Sequence, residues 1–171
     1  SILREIMIGK TSIIQNLNSL EHLYNNTTST KKTLFYSKLA ILELCGWIEE
    51  SMDDIVQKYA NRKLKDINNK NFVKNSIIKR VHGFDYHNHF RSMLMQTIGF
   101  ITLVKIEKRI NQRKLYRLQA ALRTLKLLRD NEAHTHIKGT TLRLDAPSST
   151  KTKFSDVYEG LKIFEDGIKR L

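Results

Sequence analysis

The chain has little of what most non-helical folds and cysteine-based sites require. Its 171 residues include one proline, seven glycines and one cysteine. So few turn residues argue against β-sandwiches, barrels and Rossmann-type folds, which need turns about every ten residues. The single cysteine, Cys45, excludes an intramolecular disulfide and a cysteine-based zinc site. Since no apolar run approaches the length of a membrane helix, we expect a cytoplasmic protein with no membrane segment.

The first residues carry no export signal. The segment Ser1-Ile2-Leu3-Arg4-Glu5 lacks the apolar run and small-residue cleavage site of a signal peptide. It also lacks an initiator methionine, which leaves a longer parent protein open. With 40% hydrophobic residues, the chain has enough apolar side chains for a core, and its length predicts one domain over 1–171.

Acidic residues are scarce as well. Asp and Glu number 17 against 30 Lys and Arg, which gives a net charge of +13. This excess favours a polyanionic partner through counterion release, with RNA the leading candidate, although basic residues also simply keep a helical domain soluble. The excess is concentrated between residues 105 and 129, where Glu107 is the only acid. There we predict RNA contacts from Lys105, Arg109, Arg113, Arg117, Arg123 and Lys126.

What is abundant is helical periodicity, since apolar residues recur at intervals of three, four or seven along most of the chain. The most apolar helix begins after a cap at Ser29 or Thr30 and runs to about Tyr59, so it belongs in the middle of a bundle. A later helix, capped by Asp85, is expected to run from Phe90 to Ile110. We predict an all-α, antiparallel helical bundle of four to five main helices.

Arg129 places a charge where the pattern calls for an apolar residue. It lies four residues after Leu125 and seven after Leu122, so it continues their stripe. Burying an unpaired guanidinium costs about several kcal/mol, so Arg129 must meet a carboxylate, a cleft or a bound anion. One interpretation is a salt bridge to a neighbouring helix, for example to Glu43 or Glu50, and the other is an anion-binding site.

His134 follows on the same predicted helix. Asp130 lies four residues before it, where a carboxylate can orient the imidazole and raise its pKa. Arg129 and His134 are five residues apart, about 140° around an ideal helix. The two side chains would therefore converge on one phosphate only if the helix is distorted or a second copy of the chain supplies half of the site.

An Arg, a polar residue beside it and a His after four intervening positions, at the end of an apolar helix in a small all-α domain, resemble the signature of the HEPN superfamily. The resemblance implies a HEPN-like bundle, often dimeric, in which Arg129 and His134 are the catalytic pair. Asp130 would hold the polar position. Apart from the resemblance, we predict Asn131 and His136 as supporting residues, with His136 either a second proton carrier or phosphate contact, or a solvated residue at the helix end. The resemblance also implies a metal-independent endoribonuclease of a toxin–antitoxin or antiviral defence system, regulated by an antitoxin or another protein partner.

The chemistry suits these residue types. Metal-free RNA cleavage needs one group to take a proton from the ribose 2′-OH, another to protonate the leaving oxygen, and a cation to stabilise the phosphorane. His134 can transfer a proton near neutral pH, and the fork of Arg129 binds two phosphate oxygens. One proton-transfer role then remains unfilled. A homodimer with a composite site, holding two copies of His134, would fill it.

Other interpretations stay open beside this one. A non-catalytic HEPN-like module would bind RNA or nucleotides, or dock a protein, and a purely structural helical domain would use Arg129 as an ion-pair member. Glu43, Glu49 and Glu50 are either auxiliary acids or an ordinary salt-bridged face. We predict no metal and no cofactor, because His87 and His89, two residues apart, point about 200° apart on a helix and chelate poorly.

Overall fold

The computed structural model describes residues 8–134, 136–137 and 143–171, and of Ala133 and His134 it describes the backbone. Seven α-helices lie in this part of the chain. They are α1 (Thr11–Asn26), α2 (Thr30–Lys63), α3 (Ile67–Phe72), α4 (Arg91–Ile98), α5 (Phe100–Arg109), α6 (Gln112–His134) and α7 (Pro147–Lys169). Short helical turns at Val73–Ile77, Ile78–Arg80 and Tyr86–Phe90 connect α3 to α4. The predicted all-α class is confirmed.

Four long helices, α1, α2, α6 and α7, form an antiparallel bundle. Trp47 of α2 donates to the Gly9 carbonyl at 2.7 Å and packs on Phe154 of α7, 5.1 Å between ring centroids. Toward the other end of α2, Arg62 donates to the Ile168 carbonyl at 2.8 Å. The helices α2 and α7 are therefore parallel. Because Lys114 and Arg117 of α6 pair with Glu159 and Asp156 of α7, α6 is antiparallel to α7 and hence to α2.

The helix α2 occupies the centre of the bundle, as its broad apolar circumference predicts. Ala40, Leu44, Ile48, Met52 and Val56 are fully buried within it. Ser29 caps the helix, since its side chain accepts a hydrogen bond from the Lys32 N–H. Within the described residues, none of the helices is long and apolar enough to cross a membrane.

The helix predicted from Phe90 to Ile110 is divided in the structure. Its break is at Gly99, where φ is +86°, a conformation that glycine adopts without the steric penalty of a Cβ. The Gly99 N–H still bonds to the Met95 carbonyl at 3.1 Å, so α4 ends there and α5 starts in a new direction. The prediction of one continuous helix was wrong because apolar spacing alone gave no weight to this glycine.

The turn from Val81 to Asp85 matters most for the site. Gly83 lies at φ +131°, and Asp85 caps the following turn by accepting from the Asn88 N–H at 2.8 Å, as predicted. Between them Phe84 is 1% exposed. The turn thus inserts a phenyl ring into the bundle, where it meets the C-terminal part of α6.

Candidate active site

Arg129 joins three parts of the molecule. Its Nη1 donates to Glu49 Oε1 of α2 at 2.7 Å. Its guanidinium carbon lies 4.9 Å from the centroid of the Phe84 ring, a distance at which a cation is attracted to the ring face. Its Nε and Nη2 are 3.3 and 3.2 Å from Asp130 Oδ1. The guanidinium therefore contacts α2 through Glu49 and the turn from Val81 to Asp85 through Phe84.

Arg129 keeps 28% of its side chain exposed, so it lies at the edge of the apolar stripe of α6. The deeply buried charged residue of this stripe is Glu132. It lies seven residues after Leu125, and Glu132 is 3% exposed. Its Oε2 has no hydrogen-bond partner among the described residues. Arg129 forms ion pairs with Glu49 and with the adjacent Asp130. Neither of the predicted partners is among them, since Glu43 accepts from Asn16 at 2.9 Å and Glu50 is exposed.

His89 lies on the other side of the same turn. Its Nδ1 accepts the Asp85 N–H at 2.9 Å, and its ring packs so closely on Gly83 that a Cβ there would lie 2.6 Å from the imidazole. Burial lowers the pKa of His89; Asp85 opposes this, while Lys126 and Arg129 lower it further. His89 is therefore a neutral ring with its proton on Nε2, and it supports the turn beneath Arg129.

Asp53 lies one helical turn beyond Glu49 on α2 and is half-buried. Burial raises its pKa to about 6, and the neighbouring carboxylates of Glu49, Asp54 and Glu50 raise it in the same direction, while His82 lowers it. A half-buried carboxyl group with a strongly raised pKa occurs both at functional sites and in clusters of like charge such as this one. Its position four residues after Glu49 was visible in the sequence, but its burial was not.

The backbone of His134 ends α6, and its side chain lies outside the described residues. The predicted contact between Asp130 and His134 therefore stays a prediction, and the Asp130 carboxylate lies at Arg129. Asn131 and His136 are both exposed, His136 two residues beyond the end of the helix. Beneath the site Cys45 is buried, which raises its pKa to about 12, so it is a core thiol as its place in the apolar stripe indicates.

The predicted RNA-binding cations do not all surround Arg129. Lys126 lies three residues before it, about 4.5 Å along α6 and 60° around the axis. Arg113 and Arg117 are exposed but lie about 24 and 18 Å away along the helix, and Arg117 faces Asp156 at 4.0 Å. Arg123 is exposed on α6, and Lys105 and Arg109 are exposed on α5. Of the predicted cations, Lys126 alone lies within one helical turn of Arg129, and the others are exposed at positions further along α6 or on α5.

No group of three or more metal-ligating side chains is found in the part of the chain that the structure describes. The described groups around Arg129 are instead the carboxylates of Glu49 and Asp130 and the imidazole of His89, and the guanidinium itself can bind an anion. Searches for similar proteins found no matching family model, no matching curated protein and no matching solved structure.

Proposed function

We propose that this chain is a metal-independent endoribonuclease, as its resemblance to the HEPN superfamily implies. In the proposed reaction, Arg129 binds the scissile phosphate and His134 transfers a proton while the ribose 2′-OH attacks phosphorus. The setting that the resemblance implies is a toxin or antiviral defence system with an antitoxin or regulatory partner. The net charge of +13 supports RNA as the substrate class.

The observation that carries this proposal is the state of the Arg129 side chain. One of its nitrogens makes a short contact with Glu49, and the contacts with Asp130 are longer. With 28% of the side chain exposed, the guanidinium is positioned and oriented yet still open to solvent. This is what a phosphate-binding arginine requires, because its fork must exchange contacts with water or an acid for contacts with two phosphate oxygens.

The second candidate is a non-catalytic RNA-binding module. The contact between Arg129 and Glu49 favours it, because an arginine paired with an acid can have a purely structural role. The two candidates differ in one measurable property, since only the enzyme cleaves RNA. The predicted homodimer belongs to the first candidate, where the His134 of a second copy would supply the missing proton-transfer group.

The test is RNA cleavage in the presence of EDTA. We expect the purified protein to cleave total RNA with 5′-hydroxyl and 2′,3′-cyclic phosphate ends, and His134→Ala to lower the rate by about 10²- to 10⁴-fold, the usual contribution of a proton-transfer group. His22→Ala is the matched control, because His22 is exposed on α1 and bonds only to Asn26 among the described residues.

RNA binding without cleavage by the wild-type protein would instead support the non-catalytic module. Equal cleavage by wild type and His134→Ala would remove His134 from the mechanism. Circular dichroism of each variant checks that the fold is kept, so that a lost rate reports on chemistry.

A further inference from the structure

We propose that the cavity between the C-terminal ends of α5 and α7 binds a nucleoside monophosphate. Its volume is about 330 Å³, at the lower end of the range for small-molecule sites, about 300–1,000 Å³. Asn111 lines it and lies 18 residues before Arg129, which is about 27 Å along the direction of α6. The cavity is therefore a second site, and binding there does not depend on the RNA cleavage proposed above.

One wall of the cavity is apolar. Ile106 of α5 is 5% exposed, and Ile110 and Ile163 line the cavity half-buried. The helices α5 and α7 approach each other closely here, because a Cβ at Gly167 would lie 3.0 Å from Ile106 Cγ2. The face of a nucleobase gains free energy by covering apolar side chains such as these isoleucines. This wall favours a ligand with a largely apolar body over a simple ion.

Three cations also line the cavity, and none of them has an ion-pair or hydrogen-bond partner within the described ranges of the chain. Lys105 and Arg109 are four residues apart on α5, so they lie on one face of the helix, about 5–6 Å apart at Cβ. Arg170 follows the end of α7. Elsewhere on the bundle Lys114 pairs with Glu159. The three cations of the cavity are instead available to the oxygens of an anion.

One acid faces these cations. Asp166 of α7 is half-buried and lines the cavity, with its Oδ1 3.8 Å from Lys169 Nζ. Three cations and one acid give the lining side chains a net charge of +2, which complements a phosphate monoester that carries close to two negative charges at neutral pH. A carboxylate repels a bare phosphate ion but accepts a hydrogen bond from a ribose hydroxyl or an amino group of a base. Asp166 therefore favours a nucleotide over inorganic phosphate.

Neutral donors complete the cavity. Asn111 caps α6 through its Oδ1, which leaves its Nδ2 hydrogens without a partner in the described residues, and Thr102 adds a hydroxyl to the lining. Two carbonyl groups at the end of α5 would otherwise repel an anion. They are occupied, because Gln112 Nε2 donates to the Glu107 carbonyl at 2.7 Å and to the Ile110 carbonyl at 3.0 Å.

A single nucleotide fits these features better than an RNA strand does. Proteins that bind a single strand follow its backbone with a basic groove and stack successive bases on aromatic side chains. As far as the structure describes the chain, no aromatic residue lines this cavity, and its cations surround one space of limited volume. That arrangement suits one phosphate and one base.

The experiment measures binding of adenosine 5′-monophosphate (AMP), adenosine and inorganic phosphate to the folded protein by isothermal titration calorimetry. We expect AMP to bind at one saturable site, at least about tenfold tighter than adenosine or phosphate, because each of these probes contacts only part of the lining. A higher salt concentration should weaken the binding of AMP, since its phosphate is held by exposed cations.

Variants at the two helix ends locate the site. Arg109→Ala and Arg170→Ala should each weaken AMP binding about tenfold, the usual contribution of a hydrogen bond to a charged group. Lys108→Ala is the matched control, because Lys108 is also an exposed cation in the last turn of α5 but does not line the cavity. It should stay within about twofold of wild type. Circular dichroism of each variant checks that the fold is kept.

Three results would overturn the inference. One is AMP that shows no saturable binding at concentrations on the order of 1 mM, or binds no tighter than phosphate. The second is an equal loss of affinity in Lys108→Ala, which would identify a diffuse attraction to positive charge. The third is a 2′-O-methyl RNA oligonucleotide that binds and loses affinity in Arg109→Ala while AMP does not bind, which would assign the cavity to an RNA strand. Each of these results leaves the proposed cleavage reaction untouched, because none of the probes can be cleaved by 2′-OH attack on an internal phosphate.

Discussion

Two arginine–glutamate pairs in the described part of the chain differ in how many hydrogen bonds the glutamate accepts. Arg91 donates to Glu107 through Nε at 2.7 Å and Nη2 at 3.1 Å, and Tyr86 donates to the same carboxylate at 2.7 Å. Arg129 makes one short contact with Glu49. Both guanidinium groups lie near a phenyl ring, Phe100 in the first pair and Phe84 in the second. Glu107 is 18% exposed and Glu49 is 39% exposed.

This difference distinguishes a structural pair from a candidate functional one. In the first pair the two carboxylate oxygens of Glu107 accept three hydrogen bonds. Burial disfavours its ionised form, but the bonds from Arg91 and Tyr86 outweigh this and lower its pKa. In the second pair a carboxyl with a raised pKa, Asp53, lies one turn away without a partner in the described part of the chain. An arginine whose carboxylate partners are partly exposed can exchange its contacts for a ligand.

The largest effect expected from this comparison is on cleavage. Arg129→Ala should lower the rate of RNA cleavage by about 100-fold or more, as loss of a donor to the transition state does. Because the pair with Glu49 is partly exposed, the free energy of unfolding should fall by only about 1 kcal/mol. Urea denaturation and the EDTA assay measure the two quantities. A loss of about 3 kcal/mol or more would instead identify Arg129 as a structural residue.

The second-largest effect is expected at the pair of Arg91 and Glu107. There the substitution should lower stability and leave RNA cleavage nearly unchanged. Arg91→Ala should lower the free energy of unfolding by about 2–3 kcal/mol, because it leaves the mostly buried Glu107 carboxylate with the Tyr86 hydroxyl. Cleavage measured well below the melting temperature should stay within about twofold of wild type. A variant that is stable but inactive would contradict the division between the two pairs.

The smallest effect is on the pH dependence of stability. The folded-state pKa of Asp53, about 6, lies above its ordinary value of 3.8, so the folded state binds this proton more tightly and the ionised form destabilises the fold. Asp53→Asn should therefore be more stable than wild type at pH 7.5, by under about 1 kcal/mol after solvent screening. The advantage should shrink between pH 6 and 4.

At Glu107 the same denaturation experiments should show a change in the free energy of unfolding of the opposite sign. Its lowered pKa stabilises the fold above the ordinary pKa of 4.5, and this contribution is lost as the pH falls further. Glu107→Gln should therefore be less stable than wild type at neutral pH, and this deficit should shrink on acidification. A difference between Asp53→Asn and wild type that does not change with pH would show that Asp53 is not titrating in the folded protein.

Much of the fold follows from apolar spacing. The apolar patterns of α2 and α6 predicted their buried faces, and Ser29 and Asp85 cap helical segments as their residue types indicate. The break at Gly99 was missed because one glycine is compatible with a helix interior, and its positive φ depends on how α4 and α5 pack. Local patterns thus predicted the elements, while their directions depend on tertiary contacts.

The candidate site was predictable only in part. Arg129 stood out because it breaks a stripe, but its partner Glu49 lies 80 residues away and no local pattern selects it over Glu43 or Glu50. The deep burial of Glu132, which also falls on the stripe, was missed. Phe84 and Asp53 gave no signal either, because a phenylalanine under a guanidinium and a carboxyl with a raised pKa are both products of packing.

The separation of Glu49 and Arg129 along the chain also bears on synthesis of the protein. Helix α2 and the turn that carries Phe84 emerge from a ribosome well before α6, and without α6 they hold no arginine against Phe84. Contacts between such distant segments form only when the later segment is available. A partly synthesised chain therefore lacks Arg129, and under the proposed function it has no phosphate-binding group until α6 has been translated.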